Sequence, residues 1–427
     1  MGKKQSQKKS PLFVVFGATG DLAQKKIFPA LSALYGDGSL SSGTKVIGVS
    51  RREWDKDSFR TFLSTESSVS SGFLNITEYT RVDFEAGVGY TELAANIAKH
   101  SSHHEVLIYL SLAPRNFPVV IRALRKSKIL KRGKVKLLLE KPFGIDEASA
   151  CTLNKLLNSF LLPSQIYRID HYLGKSAVQA LMRVHESSPS LRNIISKNTV
   201  ESVTVSLFES KGIDGRGASY DSVGAFRDVG QNHILEVLAS LLAEYPRRAS
   251  ASAWQDARAK VLENLLPPKD TCELARRGQY EGYEREKGVV AGSTTETAFE
   301  VITSFSRGEL AGIPIILRAG KMMGITSASV SILFKDTSGL PREILFSIQP
   351  VAQVIIRSRD GDEEVIEIPD TRDAYENILL DAIHGETRHF VGAKEIQSAW
   401  RYADRVVGCW DKVPLEKYGP SHPFLPL

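Results

Sequence analysis

The stretch "QIYRIDHYLGKSAVQ", residues 165–179, places Arg168, Asp170, His171, Tyr172 and Lys175 between apolar neighbours. Read as the first turns of a helix, residues 170–175 set His171 and Lys175 four positions apart on one face, where together they would grip a phosphate dianion. Tyr172 beside them is a neutral hydrogen-bond donor. Asp170 points about a quarter turn away and is free for a different task. The competing reading is a solvated helix start laced with its own ion pairs. A second candidate is His233 in "RDVGQNHILEVLASLL". An imidazole titrates in the range a general base needs, but a lone histidine heading an apolar helix also fits a satisfied core residue. Asp228 precedes it by five positions, about 140° around an α-helix, and Gly230 between them weakens helix formation. On that geometry Asp228 does not orient His233.

These side chains need a scaffold, and the first half of the chain supplies a pattern. "PLFVVFGATGDLAQKKIF" reads as an apolar strand, a glycine turn (Gly17-x-x-Gly20) and a helix from about Asp21, with Leu22, Ile27, Leu31 and Leu34 roughly on one side. That arrangement aims backbone N–H groups and a helix N-terminus at a pyrophosphate. Further apolar strands follow in "TKVIGVSR", "YTRVDF", "EVLIYLSL", "KVKLLLEKP" and "QIYRI". Helix-length stretches such as "NFPVVIRALRKS" and "EASACTLNKLLNSFL" separate most of them. Short apolar strands alternating with helices predict a parallel sheet covered on both faces, a doubly wound α/β fold. The second strand ends in Ser50-Arg51-Arg52, without an acid until Glu53. An acid there would grip the ribose hydroxyls of NAD, whereas Arg51 suits a 2′-phosphate, which favours NADP.

The second half alternates apolar and polar residues at Val203, Val205 and Leu207 and again at Val330, Ile332 and Phe334, with strand-like runs at "EILFSIQ" and "VAQVIIRS". "RDGDEEV" reads as a tight hairpin turn. The tail from Tyr375 reads as two helices broken near Gly392. An α+β domain with a mainly antiparallel sheet is expected over 179–427, after a Rossmann-type domain over 11–178. The charged segment 246–288 is expected to be peripheral.

Composition excludes several classes. The chain has 427 residues, 42% hydrophobic and 24% charged, which suits an ordinary globular protein. No apolar run is long enough for a membrane span. Of the formal net charge of +6, four charges are Lys3, Lys4, Lys8 and Lys9 in the opening "MGKKQSQKKS". The rest is nearly balanced, which argues against a nucleic-acid-binding body. The same tail matches the short pattern for N-myristoylation of Gly2, or is simply a solubilising tail. Cys151, Cys272 and Cys409 have no metal-ligand spacing and are expected to be inert thiols in a reducing, cytoplasmic setting. No metal site is expected.

Five motifs in order, "GATGDLAQKK", "EKPFG", "RIDHYLGK", "FRDVGQNHILE" and "LRAGK", resemble the glucose-6-phosphate dehydrogenase family. The likeness extends through "GRGASYDSVGAFRD", "GQYEGY", "GSTTETAF" and "PDTRDAYENILLDAIHG". It implies NADP-dependent oxidation of D-glucose 6-phosphate at C1 to 6-phospho-D-glucono-1,5-lactone, the first oxidative step of the pentose phosphate pathway. It also implies roles. His233 is the general base and Asp170 the acid that orients it. His171, Tyr172 and Lys175 take the sugar phosphate, and Glu209, Asp228 and Lys321 complete the sugar site. Lys141, before Pro142, touches both nicotinamide and substrate. Gly17, Thr19, Gly20, Asp21, Leu22, Arg51 and Tyr109 contact the cofactor. A homodimer or homotetramer is compatible with the resemblance.

Two departures stand out. Thr326 occupies the place of an arginine that assists the phosphate in many members, which predicts weaker substrate binding. Residues 327–331 lack the basic side chains that hold a second, structural NADP in animal enzymes, so one dinucleotide per subunit is expected. The alternatives are a dehydrogenase of unphosphorylated sugars or polyols, and a catalytically silent NADP-binding regulator.

Overall fold

Leu12–Phe16 are apolar without alternation, as a strand covered on both faces must be, and in the computed structural model β1 (Pro11–Phe16) is buried throughout. The structure describes residues 10–101, 105–130, 135–187, 194–246, 250–269, 272–419, 422 and 424–425. The N-terminal tail with Gly2 and its lysines lies outside them. Five more strands join β1: β2 (Lys45–Ser50), β3 (Thr77–Arg81), β4 (Glu105–Leu110), β5 (Val135–Glu140) and β6 (Ile166–Ile169). The sheet is parallel with order β3-β2-β1-β4-β5-β6. The order reverses between β1 and β4, which opens a crevice at their carboxyl ends. Gly48 shows how closely the helix Lys56–Glu66 packs on this sheet: a Cβ there would lie 2.2 Å from the Phe59 ring.

The chain forms two compact units. One comprises the described residues of Met1–Gly144 with Ala148–Gly174 and Arg372–Val391; the other comprises Ile145–Glu147, Lys175–Thr371 and Gly392–Leu427. The return of 372–391 to the first unit has a packing reason. The helix Ala374–His384 contributes Ile378, Leu379, Ala382 and Ile383 to the first core, and Phe390 meets Tyr167 edge to face at 4.8 Å. Lys136 Nζ donates to the Ala382 carbonyl at 2.6 Å, a second donor on the acceptor that takes the Gly385 N–H at 3.2 Å where that helix ends.

The second unit holds a nine-stranded sheet of order β14-β13-β12-β11-β7-β10-β9-β8-β15. These are β7 (Val200–Phe208), β8 (Ala275–Tyr280), β9 (Ala298–Thr303), β10 (Ile315–Gly320), β11 (Ser327–Phe334), β12 (Glu343–Gln349), β13 (Gln353–Arg357), β14 (Glu363–Glu367) and β15 (Leu415–Tyr418). All its pairs are antiparallel except β7 with β10 and β8 with β15. The last three residues of "RDGDEEV" begin β14 rather than belonging to the turn.

Two expectations are corrected. The segment 246–288 is not peripheral. Its helix Ala251–Glu263 carries the fully buried Arg258, ion-paired with Glu395 and Glu236, and β8 lies inside the sheet. The cysteines are not three inert thiols, because Cys272 and Cys409 form a disulfide with a Cα separation of 5.7 Å. They are 137 residues apart, and only the pairing of β15 beside β8 brings them together. Cys151 alone is a free thiol among the described residues.

Candidate functional site

At the carboxyl edge of the parallel sheet, Gly17 ends β1 with φ +72°, and a Cβ there would lie 2.0 Å from the Ser111 carbonyl oxygen. Only glycine admits this approach of the chain leaving β4. Gly20 is exposed, and a Cβ would meet only the Gly17 carbonyl, at 3.2 Å, leaving its outer side open. The helix expected from Asp21 is interrupted: a π-turn, Ala23–Ile27, precedes the α-helix Phe28–Gly36. Ile27, Leu31 and Leu34 are nevertheless fully buried. Arg51 follows β2, is exposed and makes no ion pair among the described residues, whereas Arg52 stacks over Trp54 at 4.8 Å and Glu53 pairs with Arg81. An open glycine turn beside an available guanidinium fits a dinucleotide carrying a 2′-phosphate.

Further along the same edge, β5 and β6 are parallel with Glu140 opposite Ile169. Lys141 and Asp170, the next residue on each strand, therefore emerge side by side. Asp170 is 1% exposed and accepts the Tyr172 backbone N–H at 2.9 Å. His171–Gly174 is a 3₁₀ turn, not the start of an α-helix, and the α-helix begins at Ser176. At three residues per turn, His171 and Lys175 do not share a face. A joint approach of the two side chains to a phosphate does not come from α-helical spacing. His171 instead stacks on Tyr375 with planes 9° apart.

Tyr109, expected at the cofactor, is fully buried and donates its hydroxyl to Glu140. Sequence reasoning passed over Glu140 and Tyr375. Burial pushes the Glu140 carboxyl up to about 7, opposed by the Tyr109 hydrogen bond and the Lys141 charge and reinforced by the charge of Asp170. Burial, with Glu140 and Asp170 next, also raises the Tyr375 phenol. Acid at the end of a strand in "EKP" was the available signal for Glu140; nothing local pointed to Tyr375.

In the second unit, β7 and β10 are parallel with Phe208 opposite Gly320, so Glu209 and Lys321 leave the same sheet edge together. Lys321 is 3% exposed. Its ammonium is ion-paired with Glu209, lies 3.3 Å from Asp228 Oδ2, and sits 5.3 Å from the Tyr220 ring centroid. Thr326 is close to this group, its hydroxyl 2.8 Å from that of Ser210.

Asp228 and His233 both lie in a π-helical segment, Phe226–Ile234. Hydrogen bonding of type i→i+5 brings residues five apart towards one side, which removes the α-helical reason for separating them. Gly230 does not break this segment. A Cβ there would lie 2.9 Å from Phe299 and 3.0 Å from Phe226, so glycine lets the helix press onto β9. Glu296 caps the start: its backbone carbonyl accepts from Ala225 N–H and its carboxylate from Phe226 N–H, each at 3.0 Å. His233 is 3% exposed, and Lys175 is half-buried. Asp170, His171 and Tyr172 belong to the first unit; Lys175, His233, Glu209, Asp228 and Lys321 belong to the second.

Comparison with known proteins gives this arrangement a family. The N-terminal, NAD-binding domain model of glucose-6-phosphate dehydrogenase matches residues 14–180, and the C-terminal domain model matches 182–423. The chain is 30% identical to glucose-6-phosphate 1-dehydrogenase of Streptococcus pneumoniae, covering 97% of this chain and 94% of that protein. It is 31% identical to the cytoplasmic isoform from Solanum tuberosum, covering 91% and 84%. The solved structure of glucose-6-phosphate 1-dehydrogenase from Mycobacterium avium superposes with a TM-score of 0.86 at 30% identity, covering 97% and 95%. A glucose-6-phosphate dehydrogenase in complex with its substrate glucose-6-phosphate gives 0.85 at 27% identity, covering 96% and 95%. The ketoreductase KijD10, at 15% identity and a TM-score of 0.55, shares the fold alone. With both halves matched end to end by the same family's models, this chain belongs to the glucose-6-phosphate dehydrogenase family.

Proposed function

We propose that the protein oxidises D-glucose 6-phosphate at C1 to 6-phospho-D-glucono-1,5-lactone and reduces NADP. The observation that carries this reading is the Lys321 cluster: a buried ammonium flanked by Glu209 and Asp228 offers both donors and acceptors to sugar hydroxyls. A solved relative of 0.85 TM-score is described with glucose-6-phosphate as its substrate. The segment 11–178 holds the dinucleotide and also brings Asp170, His171, Tyr172 and Lys175 to the sugar phosphate, and 179–427 supplies the rest of the sugar site.

In this proposal His233 takes the proton from the C1 hydroxyl oxygen, which lets the hydride on C1 depart. Asp170 holds the imidazole in the tautomer that accepts this proton. His171, Tyr172 and Lys175 bind the phosphate, and Glu209, Asp228 and Lys321 fix the hydroxyls. Gly17, Thr19, Gly20, Asp21 and Leu22 receive the pyrophosphate side of the dinucleotide, Arg51 its 2′-phosphate, and Lys141 lies towards the nicotinamide. NADP, when bound, supplies the hydride acceptor. We place the activity in the cytoplasm, with the two plant relatives described as cytoplasmic in support.

The test is cofactor reduction with NADP or NAD and with glucose or glucose 6-phosphate. Turnover is expected with glucose 6-phosphate and NADP. Preference for unphosphorylated glucose makes the protein a sugar dehydrogenase instead. Binding of NADP without turnover of any hexose phosphate makes it a regulator.

A further inference from the structure

Lys321 is held at both ends of its residue. Its backbone N–H donates to the Thr297 carbonyl at 3.0 Å, and its carbonyl accepts the Tyr418 hydroxyl at 2.6 Å. The same Tyr418 oxygen lies 2.9 Å from the Thr297 hydroxyl, which in turn accepts the Tyr280 N–H at 2.9 Å. Directly after Lys321 the chain turns through Met322 at φ +56°, a left-handed conformation costly for a side chain of this kind. Such a turn persists only where its surroundings hold it. Here the Met322 and Met323 N–H groups are taken by the Lys211 and Glu209 carbonyls at 3.0 Å.

Tyr418 reaches this turn from the end of β15, which is four residues long and at the edge of the sheet. A strand that short, paired on one side only, is weakly held by its own ladder. The Cys272–Cys409 disulfide adds a covalent hold. Cys272 lies three residues before β8 and Cys409 six before β15, so the bridge fixes where the parallel pairing of these strands begins. In a reducing compartment such a bond is more often a redox sensor than a permanent staple.

We propose that Tyr418 is a positioning residue for Lys321, and that the Cys272–Cys409 disulfide holds the Tyr418 strand so that a dithiol reductant weakens sugar-phosphate binding. This rests on placing Lys321 in the sugar site. In the redox step a dithiol gives two electrons and two protons. The Cys272–Cys409 S–S bond breaks into two thiols, and the reductant becomes a disulfide.

Three measurements test this. Tyr418→Phe keeps the buried ring and removes only the hydroxyl; KM for glucose 6-phosphate should rise about fivefold, with KM for NADP unmoved and kcat changing far less. Combined with Lys321→Met, Tyr418→Phe should add nothing further. Dithiothreitol should raise KM in the native protein and leave a Cys272→Ser/Cys409→Ser variant unchanged. Full additivity with Lys321→Met, an unmoved KM in Tyr418→Phe, or an equal response of the serine variant overturns the proposal. Labelling of the Lys321 amine by an acylating reagent, read by peptide mass spectrometry, needs no turnover. It should increase in Tyr418→Phe and on reduction, and unchanged labelling rejects the positioning role. Increased labelling in a protein inert towards every hexose phosphate would leave the positioning intact and refute the substrate assignment.

Discussion

Glu209 and Lys321 are ion-paired across 112 residues of sequence because β7 and β10 run parallel and end in register. In a sheet that is otherwise mainly antiparallel, this pairing is what puts two chain exits at one edge. The acid comes from one exit, the ammonium from the other, and Asp228 closes on the ammonium from the π-helical segment.

Removing this ammonium while keeping the length of the side chain isolates its contribution. Lys321→Met should raise KM for glucose 6-phosphate by roughly ten- to hundredfold, the equivalent of about 1.5–3 kcal/mol for a hydrogen bond to a charged group. Steady-state kinetics with a melting curve on the same sample checks it. A KM within twofold of the native value, in a folded protein, excludes Lys321 from the sugar site.

Thr326 bonds to Ser210, the neighbour of Glu209, and brings no charge to this edge. Thr326→Arg should lower KM for glucose 6-phosphate about tenfold, within the range of one charge-assisted contact. Glucose 6-phosphate titration of both proteins decides, and no change in KM means that another cation already serves the phosphate.

His233→Asn keeps a polar side chain on the π-helical segment and removes the base. Turnover should fall by about 10²–10⁴ while KM for the sugar phosphate stays close to native. A variant that retains a tenth or more of native turnover would reassign the base.

Glu140 gives a pH dependence of stability. Its folded-state carboxyl titrates near 7 against an ordinary value of about 4.5, with Tyr109, Tyr375, Lys141 and Asp170 around it. The proton it keeps in the fold is released by the unfolded chain. Its contribution is therefore complete below the unfolded value and is lost as pH rises through about 7. The loss is on the order of 3 kcal/mol. Glutamine can still accept the Tyr109 hydroxyl, so Glu140→Gln should be less sensitive to this window. Urea unfolding at several pH values should show the native protein losing more stability than the variant between pH 5 and 8. Parallel curves would mean that Glu140 is not the titrating group.

Much of the scaffold was legible because short-range pattern dictates it. The uninterrupted apolar runs at 12–16, 106–110 and 137–139 form strands buried on both faces, and the turn at Gly17 accommodates a carbonyl that no side chain would tolerate. The motifs located the chemistry-bearing residues by type and order. Local helical geometry did not survive at the site itself. A 3₁₀ turn at His171–Gly174 and a π-helix at Phe226–Ile234 replaced the α-helices from which facing directions had been reasoned. Both depend on packing from elsewhere in the chain: Gly174 lies against the Ala374 carbonyl, and Glu296 caps the π-segment.

By itself, then, the sequence determined where strands and turns must fall and which side chains carry acid, base and cation, since periodicity and glycine sterics act over a few residues. Only the tertiary structure decided that Tyr109 is sealed against Glu140, that 372–391 returns to the first core, that Lys321 meets two carboxylates, and that Cys272 reaches Cys409. Each of these depends on strand order and register, which bring together residues that no local pattern relates.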